Sequence, residues 1–300
     1  MWDKTFGGKG DDLAASVIQT FDGGYIIAGT TSSYGAGGSD VWLIKTDHKG
    51  NWLWDKPFGG KGNDSAASVI QTSDDGYIIA GTTSSYGAGS SDAWLIKTDS
   101  KGNLLWDKAI GGKDNDSATA VQQISDGEYI IAGTTSSYGA GSSDAWLIKT
   151  DPKGNWSWDK PFGGTGYDSA ASVQQTSDNG YIIAGITSSY SAGGTDVWLI
   201  KTDSNGNRTW DKTFGGAGDD SAASVQQTSD GEYIIAGTTS SYSTGGSDAW
   251  LIYVLDDNAT PARKSLSTPS FISTNKSIII AALILLASLF IIAKLRKYKL

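Results

Sequence analysis

The tripeptide Trp-Asp-Lys recurs at Trp2, Trp54, Trp106, Trp158 and Trp210, five times at a spacing of 52 residues with no insertion or deletion. Between these marks the chain nearly repeats itself: units 2–53 and 54–105 agree at 43 of 52 positions. A tandem array with a period near 50 residues predicts a propeller or a solenoid, because one such unit must stack on its neighbours to bury an apolar face. The repetition also bears on function. Five near-copies make five near-equal sites, whereas catalysis needs one asymmetric arrangement of groups.

The second unit shows the expected strands. Residues 66–72 (AASVIQT), 77–83 (YIIAGTT), 92–98 (DAWLIKT) and 103–110 are short runs rich in β-branched and aromatic types. They are bounded by Ser73-Asp74-Asp75-Gly76, by a Gly/Ser loop around Tyr86, and by Asp99-Ser100-Lys101-Gly102. Asp74, Asp126 and Asp230 read as turn formers between the first and second strands. The third strand is apolar on both faces, Ala93 and Leu95 on one and Trp94 and Ile96 on the other. A strand apolar on both faces predicts a sheet sandwiched between sheets. Four-stranded sheets packed face to face around an axis are propeller blades. The fold class expected is therefore all-β, a β-propeller of five four-stranded 52-residue blades over residues 2–256. Trp54, Trp94 and Trp106 are expected to fill the space between blades.

The array ends fit one another. Residues 2–6 are a fourth-strand fragment, and the last unit stops after its third strand, 248–254. A 3+1 ring closure would leave no free edge. The closing strand is short, because nothing matching Asn51-Trp52-Leu53 precedes Trp2. Further repeats upstream would give six to eight blades.

Lys97-Thr98-Asp99-Ser100-Lys101-Gly102-Asn103-Leu104-Leu105-Trp106 resembles the tryptophan-docking hairpin of quinoprotein-type propellers, with a turn one residue shorter. There an Asp, a turn Gly and a Trp four residues later pin neighbouring blades. The stretch from Phe58-Gly59-Gly60-Lys61-Gly62-Asn63-Asp64 through residues 77–84 resembles a surface β-propeller repeat family of archaea and bacteria. The resemblance covers all five units and implies the fold, not the ligand.

All 32 acidic residues lie at or before Asp257, together with 16 of the 23 basic ones. So acidic a body repels nucleic acid. Residues 257–277 are a Ser/Thr/Asn/Pro-rich linker, and 278–293 (IIIAALILLASLFIIA) carry no charge. At ~1.5 Å per residue the latter spans roughly 24 Å, which with Lys276 and Lys294 snorkelling predicts one C-terminal transmembrane helix. The basic tail 294–300 is then cytoplasmic and the repeats lie outside the cell, single-pass. Asn258-Ala259-Thr260, Asn275-Lys276-Ser277 and Asn63-Asp64-Ser65 are glycosylation sequons in keeping with that placement. Pro269-Ser270-Phe271, followed by the apolar span and basic tail, resembles an archaeal surface-protein sorting signal, with Ser270 in place of its Gly. Met1 is followed at once by the repeat, with no signal peptide, so an outside location predicts an upstream segment; insertion by the tail alone would instead place the repeats inside, against the charge bias.

No cysteine is present, which excludes disulfides and thiolate metal sites. Gly7-Gly8-Lys9-Gly10-Asp11-Asp12 and Gly59-Gly60-Lys61-Gly62-Asn63-Asp64 satisfy the Gly-Gly-x-Gly-x-Asp core of calcium-binding β-rolls. Each copy stands 52 residues from the next, so no second turn completes a coordination shell. A blade-to-blade turn with Gly at positive φ is expected instead. The only histidine, His48, falls in a surface turn, and Glu occurs only at Glu128 and Glu232. No catalytic residue, metal or cofactor is expected.

The expected ligand-binding residues are a five-fold set on one face. Tyr34, Tyr86, Tyr138, Tyr190 and Tyr242 sit in the Ser-Ser-Tyr loop between second and third strands. Asp12, Asp64, Asp116, Asp168 and Asp220 sit at the entry to the first strand on the same side. Tyr offers a ring and a hydroxyl and Asp offers acceptors, a combination sugars use; packing of each tyrosine on its own loop is the alternative. The functional expectation is a membrane-anchored cell-surface module for multivalent binding or adhesion, with extracellular glycans or envelope proteins as partners. Against it stand a purely structural coat or spacer and, further off, a glycoside hydrolase or a quinoprotein-type enzyme.

Overall fold

The computed structural model describes residues 1–256. The first sheet runs β1 (Asp12–Gln19), β2 (Tyr25–Thr31), β3 (Asp40–Thr46), β4 (Trp52–Phe58). The second runs β5 (Asp64–Gln71), β6 (Tyr77–Thr83), β7 (Asp92–Thr98), β8 (Leu104–Ile110). The third holds β9 (Asp116–Gln123), β10 (Tyr129–Thr135), β11 (Asp144–Thr150) and β12 (Trp156–Phe162). The fourth holds β13 (Asp168–Gln175), β14 (Tyr181–Thr187), β15 (Asp196–Thr202) and β16 (Arg208–Phe214). The last has three strands, β17 (Asp220–Gln227), β18 (Tyr233–Thr239) and β19 (Asp248–Val254). Within each sheet the strands are antiparallel and in sequence order. These are blades of β-propeller type, as the period predicts.

Each first strand carries a bulge, at Ala66/Ser68 in β5 and at Ala14/Ser16 in β1. A bulge adds local twist to the strand. First strands of neighbouring blades lie side by side, β1 by β5, β5 by β9, β9 by β13 and β13 by β17. The blades thus converge at their first strands and splay towards their fourth.

Burial on both faces drives the stacking. Ile78, Ala80, Ala93 and Leu95 of the second blade pack on Ala118, Val121, Tyr129 and Ile131 of the third. Burying a side chain the size of Leu95 stabilises by about 1.5–3 kcal/mol, and the same pattern recurs at each of the four junctions. Polar staples fix both ends. The Asp64 amide donates to the Ser39 carbonyl at 2.7 Å, and the Ser73 amide to Gln123 Oε1 at 2.9 Å. Trp54 docks on the next blade's hairpin: Gly102, at φ +76°, leaves no room for a Cβ beneath that indole. Trp94 and Trp146 are buried and Trp54 and Trp106 half-buried, all at blade junctions.

The 3+1 closure expected from the sequence is not formed. The last sheet stays three-stranded, and Trp2 lies 6.1 Å from Tyr25 of the first blade, as Trp54 lies 6.2 Å from Tyr77. Residues 2–6 hold a fourth-strand position next to the first blade but are not paired with β19. The repeat fixes which segments are fourth strands. The rotation from blade to blade, which decides whether the ends meet, comes from packing between sheets. The linker 257–277, the expected membrane helix 278–293 and the basic tail 294–300 lie outside the described residues. No helix among the described residues is long and apolar enough to cross a membrane.

Candidate functional site

The expected tyrosines and aspartates come together, one pair at the same end of each blade. Asp64 Oδ2 accepts the Gly60 amide at 2.9 Å and the Ser85 hydroxyl at 2.6 Å. The Tyr86 hydroxyl donates to the Gly59 carbonyl at 2.9 Å, and its ring lies 5.5 Å from that of Trp94. Tyr34, Tyr138, Tyr190 and Tyr242 donate in the same way to Gly7, Gly111, Gly163 and Gly215. The Gly-Gly turn is thus clasped from both sides, by an aspartate on its amide and a tyrosine on its carbonyl.

The two residue types differ in exposure. Asp64, Asp116, Asp168 and Asp220 are buried, and Asp12 is half-buried. Burial opposes ionisation of Asp220, but hydrogen bonds from Ser241, Thr239 and Gly216 outweigh it and hold the carboxyl below the usual range. These carboxylates organise the turn, and all but that of Asp12 lie off the surface. The tyrosine rings keep one face open, Tyr138 at 44% exposure. Burial of the hydroxyl, with Asp116 and Asp159 nearby, pushes the Tyr138 phenol up, so it stays neutral.

The turn differs in one respect from expectation. Gly59 is needed for a close approach rather than for a positive φ. A Cβ there would overlap Asp40 Oδ1 from one blade and meet Asp64 Oδ2 from the next.

Where blades splay, grooves open beside the clasps of Tyr86 and Tyr138. Between the second and third blades the groove has a volume of about 780 Å³. One wall is β8 from Lys108 to Ile110; the other carries Tyr138 and Trp156 over Trp146 and Asp159. The Asp159 carboxylate receives two indoles, Trp146 Nε1 on Oδ2 and Trp156 Nε1 on Oδ1, both at 2.9 Å. Trp146 is buried, whereas Trp156 is 60% exposed. The arrangement offers flat aromatic surface next to a fixed carboxylate. An equivalent groove between the first two blades is lined by Tyr86, Trp94, Leu104 and Asp107.

The sequence reading missed the groove residues Trp156 and Asp159, and the matching exposed indole and carboxylate of Trp52 and Asp55 in the first blade. A signal for them exists. The first fourth-strand position reads Trp52, Leu104, Trp156 and Arg208 in an otherwise near-invariant repeat. Arg208 lies 3.4 Å from Asp211, where the other blades use an indole or nothing. A position that varies inside a near-invariant repeat marks surface that each blade sets separately.

No family model matches the chain. Regulatory protein FlaEY of Caulobacter vibrioides is 30% identical over 133 residues, which is 40% of this chain and 13% of that protein. The chain therefore spans a small fraction of that relative. Among solved structures, the Pan2 WD40 domain of Neurospora crassa superposes with a TM-score of 0.44 at 10% identity, covering 82% of this chain and 80% of that one. Sqt1 of Chaetomium thermophilum gives 0.46 at 11% identity over 75% and 55%. A glucose dehydrogenase gives 0.45 at 10% over 83% and 84%. At these values the neighbours carry no argument about activity, and the blade architecture rests on the strand pairings themselves.

Proposed function

We propose that this chain is a multivalent binding module of the cell surface, held by its C-terminal apolar segment, that takes glycans or envelope polymers in the grooves between blades. The observation that carries the reading is the groove between the second and third blades, with a half-exposed tyrosine, an exposed indole and a carboxylate held by indole N–H groups at Tyr138, Trp156 and Asp159; the groove between the first two blades keeps the tyrosine and the carboxylate, with Leu104 in place of the indole. Aromatic faces stack on sugar rings, and a fixed acceptor orients hydroxyls. Weak sites repeated on one rigid body gain avidity through effective concentration. Tyr34, Tyr86, Tyr138, Tyr190 and Tyr242 supply contact surface. Asp12, Asp64, Asp116, Asp168 and Asp220 position them by holding the Gly-Gly turns. The surface location rests on the uncharged 278–293 segment and the basic residues after it.

The test is retention of the full chain, in detergent, on an array of diverse glycans, beside the Trp52→Ala/Trp156→Ala variant. Both indoles are exposed, so the fold should not depend on them. Retention that the variant loses supports the groove. An array silent to the well-folded wild type refutes glycan binding and moves weight to the structural coat or spacer role.

A further inference from the structure

We propose that the two end faces of the array are the halves of one more blade junction, joined head to tail between two copies of this chain. The internal junctions define what each half must contain. A forward face supplies the row Ile78, Ala80, Ala93 and Leu95; a rear face supplies Ala118, Val121, Tyr129 and Ile131. The last blade presents the forward row as Ile234, Ala236, Ala249 and Leu251, with no blade against it among the described residues. Leu251 is 69% exposed, whereas Leu95 is 1%. The first blade presents the rear row as Ala14, Val17, Tyr25 and Ile27. Val17 is 62% exposed, whereas Val69 is 1%. These are the same residue types, at the same strand positions, that bury one another four times inside the chain.

The polar staple is divided in the same way. Asp64, Asp116, Asp168 and Asp220 donate their amides to the carbonyls of Ser39, Ser91, Ser143 and Thr195. The corresponding pair, the Asp12 amide and the Ser247 carbonyl, is not joined.

The strand edge completes the match. Residues 2–6 read Trp-Asp-Lys-Thr-Phe, identical to 210–214, which pair with β15 as part of β16. In that pairing Trp198 Nε1 donates to Asp211 at 2.9 Å. Trp250 occupies the Trp198 position on β19, which lacks a fourth strand, and Asp3 occupies the Asp211 position. Residues 2–6 already sit against the first blade as a fourth strand sits against the blade that follows it. When the last blade of one copy docks on the first blade of another, residues 2–6 of the second copy therefore fall beside β19 of the first. One docking move covers the apolar face, joins the staple and closes the exposed edge, which otherwise invites non-specific pairing. Because the two surfaces differ, the contact is heterologous and builds rings or filaments.

The experiment is light scattering with size exclusion on the full chain in detergent micelles over a concentration series, with Val17→Asp and Leu251→Asp. The wild type should form species larger than one protomer. Each variant alone should run as one protomer, since every contact then includes a charged face. An equal mixture should give a dimer and nothing larger, because the intact forward face of Val17→Asp meets the intact rear face of Leu251→Asp. A wild type of one protomer's mass throughout, as in a chain closed on itself, overturns the proposal. So does assembly that persists in either variant, which would place it elsewhere, such as the apolar tail. Far-UV circular dichroism checks each fold; should either variant lose its strand signal, Ala14→Asp and Ala249→Asp replace them on the same faces.

Discussion

Asp40 of the first blade and Asp64 of the second reach the same glycine, Gly59, from opposite sides of their junction. Both side chains are buried, and Asp40 Oδ1 has no hydrogen-bond partner. Gly59→Ala would place a methyl group on these oxygens. The substitution should destabilise by about 1–3 kcal/mol, the usual cost of overpacking. Gly246→Ala, in open space, should stay within about 0.5 kcal/mol of the wild type. Urea unfolding of the pair measures the contrast.

Two groups of carboxylates should oppose each other in acid. A hydrogen bond from Thr20 and the ammonium of Lys45 hold Asp22 at about 2, against the pull of burial. Its contribution to stability is present above its ordinary value of 3.8 and is lost as pH falls towards 2. Burial, reinforced by Asp64, raises Asp40 instead. Its contribution is complete below 3.8 and is lost as pH rises through the shifted value. Asp22→Asn should flatten the acid limb of a melting-temperature profile between pH 4 and 2. Asp40→Asn should compare more favourably with wild type at pH 7 than at pH 3; the reverse order would contradict the burial argument.

Removing one tyrosine hydroxyl separates clasp from contact. Tyr138→Phe loses the 3.1 Å bond to the Gly111 carbonyl and keeps its ring against Trp146. A stability loss of about 0.5–1.5 kcal/mol is expected. Ligand retention should fall less than in Tyr138→Ala if the ring supplies the contact.

Trp156 should matter for binding and not for folding. Its loss leaves the Trp146–Asp159 bond in place. Trp156→Ala should shift stability by less than about 0.5 kcal/mol. A stacking contribution of about 0.5–1.5 kcal/mol corresponds to roughly a two- to twelvefold loss of affinity at that groove. Single-site titration by calorimetry, alongside chemical unfolding, reads both quantities.

Deleting one whole unit should be survivable. Removal of residues 106–157 joins Leu105 to Trp158, in phase with the repeat. Stability in stacked repeats is close to a sum of unit and junction contributions. The shortened chain should keep its strand spectrum and melt at a lower temperature. Complete unfolding would show that the array is cooperative from end to end.

Much of this was legible in one unit. The third strand Asp92–Thr98, apolar on both faces, announced a sheet between sheets, and it is buried throughout. Asp99, Gly102 and Trp106 marked the docking hairpin through their resemblance to quinoprotein-type propellers, and Gly102, at positive φ, does lie under the Trp54 indole of the preceding blade. The site was only half visible. Tyr86 and Asp64 were paired correctly, but their spacing says nothing of depth. Which of two polar groups at a turn reaches solvent depends on the neighbouring blade; here Asp40 and Gly59 cover the carboxylate and leave the ring.

The sequence by itself determined the blade, its four strands and the residues that face a neighbour, because period-2 alternation and turn chemistry act over a few residues. Tertiary structure alone decided that residues 2–6 lie by the first blade and not on β19. It alone opened grooves between the fourth strands. Both follow from the angle between stacked sheets, set by side chains meeting across junctions more than fifty residues apart, and that angle is written in no single repeat.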